Sequence, residues 1–324
     1  MSKGTALVAD IGGTNARFAI VDLEGLKVPS FETYPCADFH SLQEAAAAFI
    51  KQSGAKPTAA VFGVAGPVSE KSATITNLNW TMTREEMRAA TGAEKVLLVN
   101  DFEAFALSVP TLGSADLRQI GGGAPVERAT KAVVGPGTGL GVGGLVWSAS
   151  RWMPIPGEGG HTSFAAENAD EIDLIHSMYP ELDHISNERL VSGPGIAALY
   201  AAFAARRGIK LAARVGANET TRRALANEDP VATEALDFFM LALGRVAGDA
   251  GLMLGARGGV YLGGGIPPKI ADRLAAGNFR AAFEAKGRLT HFMKPIPVYV
   301  ILARDAGLRG AAVALSIAIA EGRC

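Results

Sequence analysis

An amide and a carboxylate, Asn100 and Asp101, stand at the end of a short apolar run in this chain. The run, residues 95–99, is typical of a buried strand, and the apolar-rich residues 102–107 predict that a helix follows. In open α/β sheets, ligands bind in the crevice beyond the carboxyl ends of the strands. A carboxylate there can accept a proton, and an amide beside it can hold a polar ligand. The alternative is that Asp101 only caps the helix, as aspartate often does.

Two glycine-rich loops favour a binding site over a simple helix cap. Residues 12–15 read Gly-Gly-Thr-Asn, and residues 135–139 read Gly-Pro-Gly-Thr-Gly. Glycine lets backbone N–H groups approach phosphate oxygens, and a threonine hydroxyl adds one more donor. Either loop by itself could be only a hairpin turn. The two loops, together with a third glycine cluster at residues 263–265, predict a nucleotide-binding cleft.

The residues around these loops refine the type of nucleotide site. Asp10 precedes the first loop, where a carboxylate can hold Mg²⁺ through water because that ion keeps much of its hydration shell. Residues 139–144 match the G-x-G-x-x-G spacing of dinucleotide-binding proteins, but that motif must open a helix. Residues 145–147 predict a strand instead, and the chain contains no Gly-Lys pair for a Walker-type P-loop.

A second group of polar residues suits a polyhydroxylated ligand. Glu158 and His161 are flanked by glycines at positions 157, 159 and 160, and each side chain can bridge neighbouring hydroxyls. The alternative is a surface loop whose charges point to water. Glu188, at the start of a predicted helix, could simply complement the helix dipole.

Hydrophobic patterning places these residues on an α/β framework. Strands are predicted at residues 5–10, 17–22, 59–64, 95–99, 131–134, 142–147, 260–262 and 297–302. Helices are predicted at residues 41–50, 83–91 and 308–320, and residues 169–256 are mostly helical. Thr83 and Glu86 have the spacing of a capping box. The strands on either side of each Gly-Thr loop predict two hairpins of the same format, as in two related halves facing one cleft.

Composition restricts the class of protein. The chain has 324 residues, 39 of them glycine, and a formal net charge of -1 without long charged runs, which indicates neither a nucleic-acid nor a membrane partner. The two cysteines have no partner motif, which argues against a disulfide framework and favours a reducing compartment. The N-terminal residues lack signal-peptide architecture, and no apolar run reaches the roughly 18 residues of a membrane span. We therefore expect a cytoplasmic protein.

The motifs together resemble the bacterial glucokinase family, in the class without the zinc-binding cysteine motif, of the hexokinase/actin-like ATPase superfamily. The resemblance covers almost the whole chain, in the same order. It is carried by residues 10–17, 100–102, 137–142, 156–161, 188–195, 264–266, 279–284 and 286–288.

The resemblance implies a two-domain actin/hexokinase-like ATPase fold with ribonuclease-H-like cores and an interdomain cleft. Residues 1–110 would form a small α/β domain, onto which the C-terminal helix at about 303–324 packs, and residues 111–302 a large α/β domain. It also implies ATP-dependent phosphorylation of the glucose 6-hydroxyl in glycolysis by a homodimer. Closure of the two domains on the sugar would exclude water.

The resemblance also implies a role for each candidate residue. Asp101 would be the general base, and Asn100, Asp101, Glu158, His161 and Glu188 would hold glucose. The residues expected to hold Mg-ATP are Ala9, Asp10, Ile11, Gly12, Gly13, Thr14, Thr138 and Gly265, with Asp10 on Mg²⁺ through water. Two departures, Pro136 in the second loop and residues 304–307 before the last helix, bear on nucleotide affinity or domain closure.

Two other functions are compatible with the same fold. A sugar sensor or repressor would carry an added DNA-binding helix pair, whereas the first predicted strand here begins within about five residues of the start, and the basic footprint for DNA is missing. A kinase for another sugar, such as an N-acetylhexosamine or fructose, is the second alternative.

Overall fold

The computed structural model of the protein describes residues 4–23, 25 and 27–324. Residues 1–3, on which the expectation of a leaderless N-terminus partly rests, lie outside this description. The chain divides into two compact units, which are described separately below. The first comprises Met1–Gly113, Trp152–Pro154 and Ala303–Cys324, and the second comprises Ser114–Arg151 and Ile155–Leu302.

The first unit contains a five-stranded sheet in the order β3-β2-β1-β4-β7. Its strands are β1 (Thr5–Ile11), β2 (Asn15–Asp22), β3 (Glu32–Pro35), β4 (Ala59–Val64) and β7 (Lys95–Asn100). A two-stranded sheet pairs β5 (Ser72–Ile75) with β6 (Trp80–Thr83). The helices are α1 (Leu42–Ser53), α2 (Arg84–Thr91), α3 (Asp101–Ser108) and α12 (Ala306–Ala320).

Local sequence explains most of these boundaries. The side chain of Ser41 accepts a hydrogen bond from the backbone N–H of Glu44 and so caps α1. Thr83 and Glu86 form the predicted capping box at the start of α2. Every residue of β4 is buried, in keeping with a parallel strand that is covered on both faces. The predicted first hairpin is confirmed, since β1 and β2 pair antiparallel.

A six-stranded sheet in the order β11-β10-β9-β12-β13-β8 belongs to the second unit, apart from residues Trp152–Pro154 of β11. Its strands are β8 (Leu117–Gln119), β9 (Lys131–Pro136), β10 (Leu140–Ser148), β11 (Arg151–Ile155), β12 (Val260–Leu262) and β13 (Val298–Ile301). Its helices are α4 (Ala169–Met178), α5 (Asn187–Leu190), α6 (Gly193–Arg206), α7 (Ala217–Leu225), α8 (Pro230–Met253), α9 (Ala271–Ala276), α10 (Phe279–Glu284) and α11 (Thr290–Met293).

The second hairpin is present, but its turn is shorter than predicted. Gly135 and Pro136 pair with Gly141 and Leu140, so the loop comprises residues 137–139 rather than 135–139. Proline is tolerated at this position because the strand ends there and needs no further ladder N–H. The G-x-G-x-x-G spacing at 139–144 falls largely within β10, which confirms that it does not open a helix.

Inside the second unit, the long helix α8 is fixed by a buried ion pair. The guanidinium of Arg245 donates two hydrogen bonds to Glu171 of α4, at 2.7 and 3.0 Å. Burial opposes ionisation of Glu171, but the hydrogen bonds from Arg245 and from the Glu167 backbone hold its pKa below the usual value. This pair holds α4 against α8.

Candidate functional site

In the first unit, three parallel strands end at one edge of the sheet. Ile11 of β1 pairs with Val64 of β4, which pairs with Asn100 of β7. Ala9, Asp10 and Asp101 therefore reach the same edge. Because β4 lies between β1 and β7, the axes of those two strands are about 10 Å apart. Gly63 lies between them, because a Cβ there would sit 3.4 Å from the Ala9 carbonyl oxygen and 3.6 Å from the Asp101 Cα.

Asn100, and not Asp101, is the N-cap of α3. The Asn100 Oδ1 accepts hydrogen bonds from the backbone N–H groups of Phe102 and Glu103, at 3.0 and 3.1 Å. Its Nδ2 donates to the Gly66 carbonyl at 3.2 Å, which fixes the amide plane. Asp101 is the first helical residue, and its Oδ1 accepts the Phe102 N–H at 2.9 Å. The capping alternative thus applies to the neighbouring amide, which leaves Asp101 half-buried at the strand end.

The first glycine loop is a tight turn that is held by one hydrogen bond of its own and by contacts with Cys36. The Gly12 N–H donates to the Asn15 carbonyl at 3.0 Å. Cys36 supports the loop twice, because its backbone N–H donates to the Thr14 carbonyl at 2.9 Å and its thiol contacts the Gly12 carbonyl at 3.6 Å. The φ angles of Gly12 and Gly13 lie outside the left-handed region, and a Cβ at either would meet nothing closer than 3.4 Å. The chain itself therefore leaves space over these two glycines.

Asp10 is held by the other strand of the hairpin and by the last helix. Arg17, its partner in the antiparallel register, donates to Asp10 Oδ2 at 3.0 Å. Desolvation by burial raises the pKa of Asp10, and the Arg17 charge offsets only part of this effect. A Cβ at Gly307 of α12 would lie 2.6 Å from the Asp10 carboxylate carbon, so only glycine allows the carboxylate to lie there.

In the second unit, residues 137–139 connect β9 to β10 and expose Thr138. The Gly137 carbonyl accepts the N–H of Gly193, the first residue of α6, at 2.8 Å. Gly264 has a φ of 77° and packs against the Pro136 carbonyl, which brings the third glycine cluster to this hairpin. Gly137 and Gly265 have no atom within 4 Å of an added Cβ, so both are open.

Glu188 and the turn that carries Glu158 and His161 lie against Leu140, the first residue of β10. Gly160, in the 3-10 helix Gly159–His161, packs against the Leu140 carbonyl. On the other side, the Leu140 N–H donates to Glu188 Oε2 at 2.8 Å. A Cβ at Gly139 would lie 2.5 Å from that same oxygen. The structure thus brings the three candidate sugar residues and the Thr138 loop together within this unit.

Sequence patterns alone did not identify three of the residues that shape these groups. Arg17 could have been found from the hairpin register, because the four residues 12–15 between the paired Ile11 and Ala16 place it opposite Asp10. Gly307 lies in the segment 304–307 noted in the sequence, but no pattern pairs it with Asp10, and no local signal marks Cys36, which contacts the first loop from 24 positions away. Over the described residues, no group of three or more histidine, cysteine or acidic side chains could hold a metal ion. No helix in that part of the chain has the length and apolar character of a membrane span.

Comparison with known proteins identifies the family. The family model for glucokinase matches residues 7–318. The chain is 44% identical to the glucokinase of Aromatoleum aromaticum over 316 residues. This aligned region covers 97% of this chain and 95% of that protein. The crystal structure of a glucokinase from an Antarctic psychrotroph is 37% identical, with a TM-score of 0.82 over 96% of this chain and 98% of that one.

A more distant structure has the same fold. It is a ROK family glucokinase from Streptomyces griseus in complex with glucose and AMPPNP, 20% identical, with a TM-score of 0.68 over 96% of this chain and 99% of that one. The expected actin/hexokinase-like ATPase fold is therefore confirmed. From the family match and the close relatives, this enzyme belongs to the glucokinase family.

Proposed function

We propose that the chain transfers the γ-phosphoryl group of ATP to the 6-hydroxyl of glucose. Relatives named glucokinase at 43% and 44% identity support this activity over a non-enzymatic sugar sensor. The Streptomyces griseus enzyme that shares the fold is the one solved with glucose and AMPPNP. The observation that carries the proposal is the pair of glycine hairpins, one in each unit, which leave the space over Gly12 and Gly137 open.

The hairpins suit the phosphates of ATP. Gly12, Gly13 and Gly137 have φ angles that any residue can adopt, and an added Cβ at any of them would meet no atom closer than 3.4 Å. The chain's own packing does not require glycine at these positions, whereas a phosphate drawn against the backbone would. In this proposal, residues 9–14 and Thr138 bind phosphates, and Gly265 lies near the adenosine.

Asp10 fits a magnesium ion held mainly by water and phosphate oxygens. It is a single carboxylate, and Mg²⁺ bound to ATP commonly uses only one or two protein carboxylates. Burial raises the pKa of Asp10, so a cation nearby would stabilise its ionised form. When bound, the ion would neutralise charge on the phosphates, and Arg17 would keep the Asp10 carboxylate oriented.

The sugar residues divide into a base and a set of hydroxyl ligands. Asp101 would accept the proton of the 6-hydroxyl while the sugar oxygen forms a bond to the γ-phosphorus and the bond to ADP breaks. Asn100 retains a second amide N–H beyond the one donated to Gly66, which would bind a hydroxyl. Glu158, His161 and Glu188 would bind the remaining hydroxyls, with Glu188 already fixed at one oxygen by Leu140.

The test begins with release of ADP across a panel of glucose, fructose and N-acetylhexosamines. We expect glucose to have the highest kcat/KM, and a preference for another hexose would contradict the assigned substrate. Chelation of Mg²⁺ should abolish the activity. Light scattering on the purified protein tests the proposed homodimer.

Asp101→Asn tests the base. We expect kcat to fall about 10²-fold or more while the glucose Kd from calorimetry changes little, because shape survives and the proton acceptor does not. The matched control is Glu103→Gln, a half-buried carboxylate in the same helix, which should leave kcat within about twofold of the wild-type value. Near-normal turnover of the Asp101 variant would reduce that residue to a sugar ligand.

A further inference from the structure

Two segments of the second unit lie side by side next to the candidate sugar residues. Residues 161–164 and 184–187, called the clasp below, are joined by an antiparallel bridge between Ser163 and Ser186. The Phe164 N–H donates to the Ile185 carbonyl at 2.9 Å, and the Asn187 N–H donates to the Thr162 carbonyl at 2.8 Å. The clasp begins at His161 and ends one residue before Glu188.

His184 connects the two segments of the clasp through the backbone of His161. Its Nε2 lies 2.8 Å from the His161 carbonyl oxygen. Because a carbonyl can only accept, Nε2 must donate the proton in this bond. In the neutral ring Nδ1 is then an acceptor, and the Ser163 hydroxyl lies 3.3 Å from it. The imidazole thus connects both segments through its two nitrogens.

Thr162 makes a second connection, into the turn that carries Glu158. The Asn187 side-chain amide donates to the Thr162 hydroxyl at 2.9 Å. That hydroxyl donates in turn to the Gly159 carbonyl at 2.8 Å. A chain of two hydrogen bonds therefore links the first residue of α5 to the turn at residues 158–161.

The candidate sugar residues themselves depend on this support. Glu158 and His161 are exposed, and among the described residues none hydrogen-bonds to either side chain. Their direction is therefore set by their backbone, which the clasp holds. Exposed hydrogen bonds such as those of His184 and Thr162 add little to global stability, so their concentration here calls for another role.

We propose that the clasp is a positioning device for sugar binding, with His184 and Thr162 as positioning residues. It fixes the direction of Glu158 and His161 relative to Glu188, which is anchored at Leu140. This inference rests on the proposed function, in which those three residues bind the sugar. Loosening the clasp should weaken the affinity for glucose and leave that for ATP unchanged.

His184→Leu removes both bonds of the imidazole while keeping an apolar side chain. We expect the glucose KM to rise about five- to tenfold, the equivalent of one lost hydrogen bond, and the ATP KM to stay within twofold. His184→Gln, whose amide can still donate to the His161 carbonyl, should recover most of the loss. The matched control is His176→Leu, because His176 is an exposed histidine of α4 that lines one pocket together with His184 and Ser163; it should leave both constants unchanged.

A double-mutant cycle separates positioning from general damage. In a His161→Ala background, His184→Leu should raise the glucose KM by a smaller factor than it does alone, because one of the two residues that it positions is already gone. Fully additive effects, equal rises in both KM values, or wild-type kinetics of His184→Leu would overturn the proposal. Thr162→Val is an independent variant and should raise the glucose KM in the same direction.

Amide hydrogen exchange gives a readout that does not depend on activity. Peptides covering residues 158–164 should exchange faster in His184→Leu than in wild type or His184→Gln, and equal rates would overturn the clasp. If the wild-type protein fails to phosphorylate glucose while this exchange difference is present, the proposed function fails and the physical clasp stands.

Discussion

The contact between Gly307 and Asp10 predicts that one added methyl group disables the proposed nucleotide site. In Gly307→Ala, the new Cβ would lie 2.6 Å from both the Cγ and the Oδ2 of Asp10. Ordinary carbon contacts begin at about 3.5 Å, so the carboxylate must move by roughly 1 Å. Such a shift lengthens the 3.0 Å hydrogen bond from Arg17 beyond useful range.

The expected effects on stability and on activity differ in size. Glycine to alanine inside a helix usually stabilises by about 1 kcal/mol, whereas overpacking costs about 1–3 kcal/mol. The free energy of unfolding should therefore fall by no more than about 2 kcal/mol. A catalytic group misplaced by about 1 Å can cost 10²-fold in rate, and we expect a loss of that order in kcat/KM for ATP.

Urea unfolding and a coupled assay of ADP release at saturating glucose measure the two quantities. Gly113→Ala is the control, because an added Cβ there meets no atom within 4 Å. Gly310→Ala, in the same helix, would overlap the Ala104 carbonyl of α3 and should mainly destabilise. An unchanged kcat/KM for ATP in Gly307→Ala would refute the assignment of Asp10 to the nucleotide site.

Three further changes test the electrostatics and the packing. Burial raises the pKa of Asp10 in the folded protein above its unfolded value, so the free energy of unfolding falls as pH rises through the folded pKa and Asp10 ionises. Asp10→Asn removes this charge and should therefore raise Tm at pH 7 relative to wild type, with the difference shrinking toward pH 4. The variant should also lose turnover. A lower Tm at pH 7 would mean that the Arg17 pair outweighs burial. Gly139→Ala places a Cβ 2.5 Å from Glu188 Oε2 and should raise the glucose KM tenfold or more, roughly the worth of a hydrogen bond to a charged group. Gly216→Ala, whose added Cβ meets no atom within 4 Å, should leave that KM unchanged. Arg245→Met leaves Glu171 buried without its partner and should lower the free energy of unfolding in urea by about 3–5 kcal/mol; a loss below about 1 kcal/mol would contradict the ion-pair assignment.

Hydrophobic periodicity and short-range rules predicted the main strands of both sheets but not the short strands β3, β5, β6, β8 and β11. The β1–β2 hairpin, the capping box of α2 and the buried strand β4 all depend on residues within a few positions of one another. Side-chain patterning and capping act over such short separations, so they are legible in the sequence. The alternative that Asp101 only caps α3 is wrong, since Asn100 is the N-cap; either side chain can cap, and backbone geometry decides between them.

The sequence by itself determined which residue types could bind phosphate and sugar, and the order in which they occur. The tertiary structure alone decided what supports them: Gly307 against Asp10, Cys36 under the first loop, Glu188 on the Leu140 N–H, and His184 on the His161 carbonyl. These contacts join residues that are 22 to 297 positions apart in the sequence. Several of them also use backbone atoms, which every residue has, so the residue type does not reveal them. Such pairings arise only when packing of the whole unit brings distant segments together, since the gain from burial, and not any local preference, fixes their positions.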